Sequence, residues 1–382
     1  MDKVLFLLNN PKDLSIARLL FKISPIPIQF IITNFDARDK YGWKKPKQLE
    51  CWFSDDSIKD IKLALRDNIT ICTSEKDLQE LWRESDVCIS KGREFFVLKS
   101  PSKRNIALSF DRCYFSRLLD ILPYYKDALT IVLSSPIWLD EKFCGYYEMD
   151  PKKHTREYID KYRKNFKFVD ISNYYYETLQ KMGKENIRKE LGLPLDKKIA
   201  FFSFRMSTDQ ASIHKNTDDF VCASKKMLEK FKEDNYFIIS RRRMGRQDLL
   251  WYKNTNHPEV SRFKEIFHLI DMEINGFGGF PELIYRGIYA SDIMLLSDLS
   301  GIARTEGLFC RCPIYMPFEK NKENIGRISY FPIIKDMVDN GIIFNEYNQS
   351  SMDEYYKNVE NLIQKWHSYD LDGFWNIIKG VE

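Results

Sequence analysis

Residues 290 to 318 read ASDIMLLSDLSGIARTEGLFCRCPIYMPF, and their polar side chains are spaced to hold a phosphorylated ligand. The apolar run IMLL ends in Ser297, Asp298, Leu299, Ser300 and Gly301, where a helical pattern begins. Amide groups at a helix start have no intrahelical partner and carry a partial positive charge, which suits a diphosphate. Ser300 adds a hydroxyl, and Gly301 lets the backbone come close. Glu306 follows about one and a half turns later, in reach of a polar group held over that start. A ribose diol is a good partner for such a carboxylate. The plainer reading of the same residues is an N-cap serine followed by a surface glutamate.

A departing diphosphate needs fixed cations, and arginine meets phosphate oxygens in pairs. Arg205 follows the apolar run KIAFFSF (198–204), and Arg243 closes SRRR after the run YFIIS (236–240). Both are expected at strand ends that open into one cleft. His214 and Lys215 lie in the polar loop STDQASIHKN. In NGFGGFPEL (275–283), Gly278, Gly279 and Phe280 form a turn that enters a helix at Pro281, a residue suited to the first helical position. A catalytic base would come from the first half. Asn9, Asn10, Asp13, Asp36, Lys91, Asp111, Arg112 and Ser134 all fall at expected strand ends, and Asp111 is preferred because it stands between a buried strand and a helix. Asp111 also reads as an N-cap.

The elements that must carry these residues alternate. Strand-like runs are expected at 4–10, 28–36, 68–74, 86–90, 105–111 and 128–135, with helical spacing at 14–23 and 75–85. Short apolar runs without polar alternation, separated by helices, predict a parallel sheet covered on both faces. The stretch 140–185 is charged and aromatic and shows no such pattern. At residue 186 the series restarts: a short helix ends at Gly192, and a strand follows at 198–204. Helix 218–234, strand 236–240, helix 280–292, strand 293–297, helix 300–311 and strand 313–318 come next, and the tail reads as helix. The expected fold class is α/β, with two Rossmann-like doubly wound domains facing a cleft. The expected ranges are 1–185 for the acceptor, 186–355 for the donor, and 356–382 as closing helices that pack back on the first domain.

Composition narrows the classes. A chain of 382 residues suits two domains, and a net charge of +4 with mixed signs makes no general case for nucleic acid. Eight scattered cysteines contain no CxxC pair, which argues against a structural zinc site and for reduced thiols. The start MDKVLFLLNNPKD lacks the apolar core of a signal peptide, and no run approaches about 18 apolar residues. The expectation is a cytoplasmic protein, with the inner face of the membrane as its station if the acceptor is lipid-linked. The basic aromatic stretches 43–47 and 152–168 would then provide a peripheral contact with anionic lipid. No paired-acid metal motif stands out, so no metal and no cofactor are expected.

The order of strand, Ser/Gly turn, helix with glutamate, proline and strand resembles the donor half of GT-B fold glycosyltransferases. Glu306 and Pro313 are in register with that pattern, whereas Arg311 stands where a glycine is usual. Asp298 and Glu306 are spaced like the paired acids of retaining members, with aspartate in place of the first glutamate. NIRKELGLPLDKKIAFFSFR resembles the domain entry, GFGGFPELIYRGIYASDIMLLSD the glycine loop with its helix and strand, and NGIIFNEYNQSSMDEYYKNVENLI the late strand and closing helix. The resemblance spans roughly residues 185 to 365. It implies a metal-independent transferase with a nucleotide-activated donor, UDP or GDP ahead of CDP or CMP, and a glycan or lipid-linked acceptor. It further implies that the backbone near Gly278, Gly279 and Phe280 holds the base, that Glu306 orients the ribose, and that Ser297, Ser300, Gly301, Lys215 and Arg243 hold the phosphates. Three rivals remain: a CDP-alditol phosphotransferase or CMP-sugar transferase of the same fold, a UDP-sugar 2-epimerase, and a non-catalytic binding protein.

Overall fold

Strands rich in Val, Ile, Leu and Phe on both faces are stable only where helices cover both sides of the sheet. Thirteen such strands are found among the described residues, and every pairing between them is parallel. The computed structural model describes residues 3–8, 17, 20–22, 24–33, 61–62, 65–66, 68–72, 74–91, 102, 104–109, 129–132, 155–162, 165–168, 172–203, 226–241, 268–270, 281–296, 303–316, 332–366 and 371–381.

The first compact unit comprises residues 1–171 and 368–382. Its sheet contains β1 (Val4–Leu8), β2 (Ile28–Thr33), β3 (Ile69–Cys72), β4 (Val87–Lys91), β5 (Arg104–Ser109), β6 (Leu129–Val132) and β7 (Phe166–Phe168) in the order 3-2-1-4-5-6-7. All five residues of β1 are buried. On one face Leu5, Leu7, Ile31, Cys72 and Cys88 pack with Leu78 and Trp82 of helix Glu75–Arg83. Phe6 belongs to the other face, where its ring lies 5.7 Å from that of Phe30. Helix Glu75–Arg83 starts at Ser74, whose hydroxyl accepts from the Asp77 amide at 3.2 Å. Helix Leu371–Lys379 also belongs to this unit. Its Phe374 and Trp375 are buried, and Arg104 donates through Nη1 to the Ile378 carbonyl at 3.1 Å.

The second unit is continuous, residues 172–367. Its sheet contains β8 (Ile199–Ser203), β9 (Phe237–Arg241), β10 (His268–Ile270), β11 (Ile293–Leu296), β12 (Ile314–Tyr315) and β13 (Ile343–Phe344) in the order 10-9-8-11-12-13. Ile293 and Leu295 face a core with Phe231, Tyr236 and Tyr315, while Met294 faces the opposite side, against Gly307. The two sheets therefore repeat one doubly wound order.

Four helical segments of this unit run into a strand through the same turn. At Gly192, Asn235, Arg311 and Gly341 the backbone is left-handed, and the next amide bonds back five residues, as Leu193 does to Arg188 at 2.8 Å. The pattern explains why each helix stops where it does; the strand then begins within three residues after Asn235, Arg311 and Gly341, and at Ile199 after Gly192.

Several elements differ from the sequence expectation. The stretch 140–185 contains β7 and helices Arg156–Tyr162 and Ser172–Met182, which its charged and aromatic residues conceal. β10 and helix Pro332–Asp339 had no sequence signal of their own. Pro281 opens helix Pro281–Ala290, as its ring geometry favours.

Candidate functional site

In a doubly wound sheet the ligand crevice lies beyond the carboxyl ends of the strands, where the order reverses. In the second unit that point is between β8 and β11, which are neighbours with β9 on the far side of β8. Leu296 pairs with Ser203, so the two strands end level. β9 is tied to β8 at the same height: buried Ser240 donates through Oγ to the Phe202 carbonyl at 2.8 Å. Arg241 is the last residue of β9.

Helix Ala303–Phe309 follows β11 and bears Glu306 in its first turn. Glu306 is 8% exposed and is the only buried residue with a formally charged side chain among those described. An acid near a helix start is favoured by the helix dipole, yet burying a carboxylate is expensive, and sites that do so are commonly functional. Gly307 sets how close this helix approaches the sheet. A Cβ there would lie 2.8 Å from Cδ1 of Ile314 and 2.9 Å from Sδ of Met294.

The helix ends at Arg311, which has φ of 51° and takes the place glycine usually fills. For an ordinary L-residue this conformation costs about 1 kcal/mol. Its side chain is engaged on all sides. Nε and Nη2 donate to the two carboxylate oxygens of Glu360 at 2.9 and 3.2 Å, and Nη1 donates to the Phe309 carbonyl at 2.9 Å. The guanidinium carbon lies 3.5 Å from the centroid of the Tyr176 ring.

The opposite end of β11 is fastened by Asp292. Its Oδ1 accepts from Lys184 Nζ at 2.8 Å, and its Oδ2 accepts from Arg188 Nη2 and from the Ile199 amide, each at 2.8 Å. Burial alone would raise this carboxyl. The bonds from Lys184 and Ile199 and the charges of Lys184 and Arg188 outweigh it and hold the group below the usual carboxylate range. Cys310 and Cys312, beside Arg311, are buried thiols. Burial pushes Cys312 up to about 12, and burial together with the nearby Cys312 and Glu306 raises Cys310, so both stay protonated and neither serves as a nucleophile at neutral pH.

Of the residues expected at the site, Glu306 is described and sits after the switch-point strand. Asp111, Arg205, Lys215, Arg243, Gly278, Gly279, Phe280, Ser297, Ser300 and Gly301 lie outside the described residues, as do Asn9, Asn10, Asp13, Asp36, Arg112, Ser134, His214 and Asp298. Lys91 is the last residue of β4. Sequence reasoning singled out Arg311 only as a departure from a glycine. The signal that could have found its role was the short span between the helix and the strand that follows it, which calls for a left-handed backbone.

No protein-family model and no curated protein matches the chain. Among solved structures, a variant of the wall teichoic acid polymerase TagF superimposes with a TM-score of 0.54 at 12% identity, covering 100% of this chain and 88% of that one. The same variant soaked with CDPG gives 0.53 at 13% identity, covering 99% and 88%. With two parallel doubly wound sheets in one chain, the likeness decides the architecture. The chain has the GT-B fold. A glycosyltransferase from Rickettsia africae ESF-5 is also similar, with a TM-score of 0.49 at 11% identity over 99% of this chain and 98% of that one. In the second unit the expected strand and helix are β11 and helix Ala303–Phe309, and residues 297–302 between them lie outside the described residues.

Proposed function

We propose that this GT-B chain is a transferase that moves a sugar from a nucleotide-activated donor to a hydroxyl of a glycan or lipid-linked acceptor. The observation that carries the reading is Glu306, a carboxylate buried in the helix that follows the switch-point strand of the second unit. A carboxyl group at the switch point of a doubly wound sheet is placed to meet a polar ligand group, and the ribose diol of a nucleotide is the fitting one. Ser297, Ser300 and Gly301, between β11 and that helix in the chain, would hold the diphosphate. Arg205, Lys215 and Arg243 would neutralise it as it departs, which leaves no step that requires a metal. Gly278, Gly279 and Phe280 would meet the base, and Asp111 would take the acceptor proton. A nucleotide donor puts the reaction on the cytoplasmic side, with stretches 43–47 and 152–168 against the membrane when the acceptor is a lipid.

A second reading is favoured by one finding. The polymerase structure with CDPG points to transfer of a phosphoalditol from a CDP-activated donor. The two readings part on nucleotide preference. A nucleotide at about a hundred times its Kd adds about 2.7 kcal/mol of stability, which raises Tm by several degrees. Thermal melts with UDP, GDP, CDP and CMP are expected to show that rise with UDP or GDP. A rise confined to CDP or CMP replaces sugar transfer with the second reading. No rise with any of the four removes the donor-site reading.

A further inference from the structure

Arginine at a left-handed helix end is a choice that folding does not ask for, since glycine fills the same backbone without strain. The side chain must therefore contribute something. Its ion-pair partner Glu360 has a side chain that is 59% exposed, so solvent screening limits what the charge attraction alone adds to stability. The geometry of the contacts is more telling. Arg311 grips Glu360 on helix Gln349–Trp366 with two parallel hydrogen bonds and covers the face of Tyr176 on helix Ser172–Met182. Tyr176 in turn meets Tyr289 of helix Pro281–Ala290 edge-on, with ring centroids 5.8 Å apart. The first and last long helices of the second unit, next to where the chain enters and leaves it, are thus joined at the foot of the helix that bears Glu306.

We infer that Arg311 is a positioning residue: by clamping helix Ala303–Phe309 to both flanking helices it fixes where the Glu306 carboxylate stands. The inference rests on the reading of Glu306 as a ribose contact. Gly307 already brings the helix as close to Met294 and Ile314 as atoms allow, so its remaining freedom is to slide or rotate over the sheet. Arg311 removes that freedom from the far end. A displacement of about 1 Å is enough to spoil a hydrogen bond to a diol, and misplacements of that size are known to cost large factors in activity.

The test is a comparison of UDP, GDP and CDP with their 2′-deoxy counterparts by calorimetry on the full chain. The unaltered protein is expected to bind its preferred ribonucleotide about tenfold more tightly than the deoxy form, which corresponds to one charge-assisted hydrogen bond. Glu306→Ala is expected to erase that ratio. Arg311→Gly, which suits the backbone, is expected to reduce the ratio to about threefold or less while Tm without nucleotide stays within a few degrees. Glu360→Gln leaves the backbone untouched and is expected to act in the same direction with a smaller loss, which keeps the test alive should Arg311→Gly fail to fold. A full tenfold ratio in Arg311→Gly, or in Glu360→Gln if only that variant folds, overturns the positioning role and leaves the donor reading in place, provided Glu306→Ala has lost it. A full ratio in Glu306→Ala overturns the ribose reading first, and the positioning role falls with it.

Discussion

β11 has an acidic residue beyond each end, and the two acids live under opposite conditions. Asp292, before the strand, has a side chain that is 35% exposed, and it is gripped by Lys184, Arg188 and the Ile199 amide. Glu306, after the strand, is 8% exposed. The amino end of a parallel strand is where a fold spends charges on holding itself together, and the carboxyl end is where ligands arrive. Charge at the first end is consequently spread over cations and water, while the carboxyl group at the second lies in a dry place.

Swapping the two acids for alanine breaks the comparison if it is wrong. Glu306→Ala is expected to lower kcat/KM for the donor about a hundredfold, about 2.7 kcal/mol of transition-state stabilisation, and to leave Tm within a few degrees. Asp292→Ala is expected to cost about 2 kcal/mol of stability, from charge-assisted bonds discounted for solvent screening, and to leave donor KM of the folded enzyme unchanged. Steady-state kinetics paired with denaturant melts on both variants decides. If each variant moves both quantities, the two ends are not separate in purpose.

The same carboxylate sets an acid limit. Its folded pKa lies below the unfolded value of about 3.9. Its contribution is therefore complete above about pH 4 and is lost as pH falls through the folded value. Acid titration of Tm should show Asp292→Ala losing less stability than the unaltered chain below about pH 4. Parallel curves would mean that the Lys184 and Arg188 contacts are not formed in solution.

Gly307→Ala sharpens the comparison at the carboxyl end. The added methyl would lie 2.8 Å from Ile314 Cδ1 and 2.9 Å from Met294 Sδ, too close to stand without a shift, so a loss of about 1–3 kcal/mol is expected. Because the helix must lift, ribonucleotide affinity should fall as well. An affinity unchanged at that loss would detach the height of the helix from the site. The smallest effect is expected at Tyr355, fully buried with no hydrogen-bond partner for its hydroxyl among the described residues. Tyr355→Phe removes an orphan polar atom, and Tm should stay level or rise.

The fold was legible where chemistry and periodicity agree. IMLL and VLFLL could hardly be anything but buried strands, and their number and alternation with helices gave a doubly wound sheet in each half. Gly192 and Pro281 marked a helix end and a helix start by their own backbone geometry. Other elements were hidden for stated reasons. Helix Ser172–Met182 has three consecutive tyrosines, which blur any apolar face, and β7 and β10 are three residues long, too short for periodicity to register. The place of Glu306 on a helix after an apolar strand was readable from the run IMLL before it and the proline after it. Its burial was not, because burial depends on Gly307 letting the helix sit close, and that is a contact with residues of two other elements. Arg311 was visible only as a residue where glycine was expected, since Glu360 and Tyr176 are distant in sequence.

Helix Leu371–Lys379 follows residues 172–367 in the chain and belongs to the unit that precedes them. On the ribosome, residues 172–367 can close on themselves while residues 1–171 still wait for Phe374 and Trp375 to cover their flank. The later half of the chain can thus mature before the earlier one. Any attempt to produce the first unit alone will succeed only if residues 368–382 are joined to it by a tether, since cutting at residue 171 discards part of its own core.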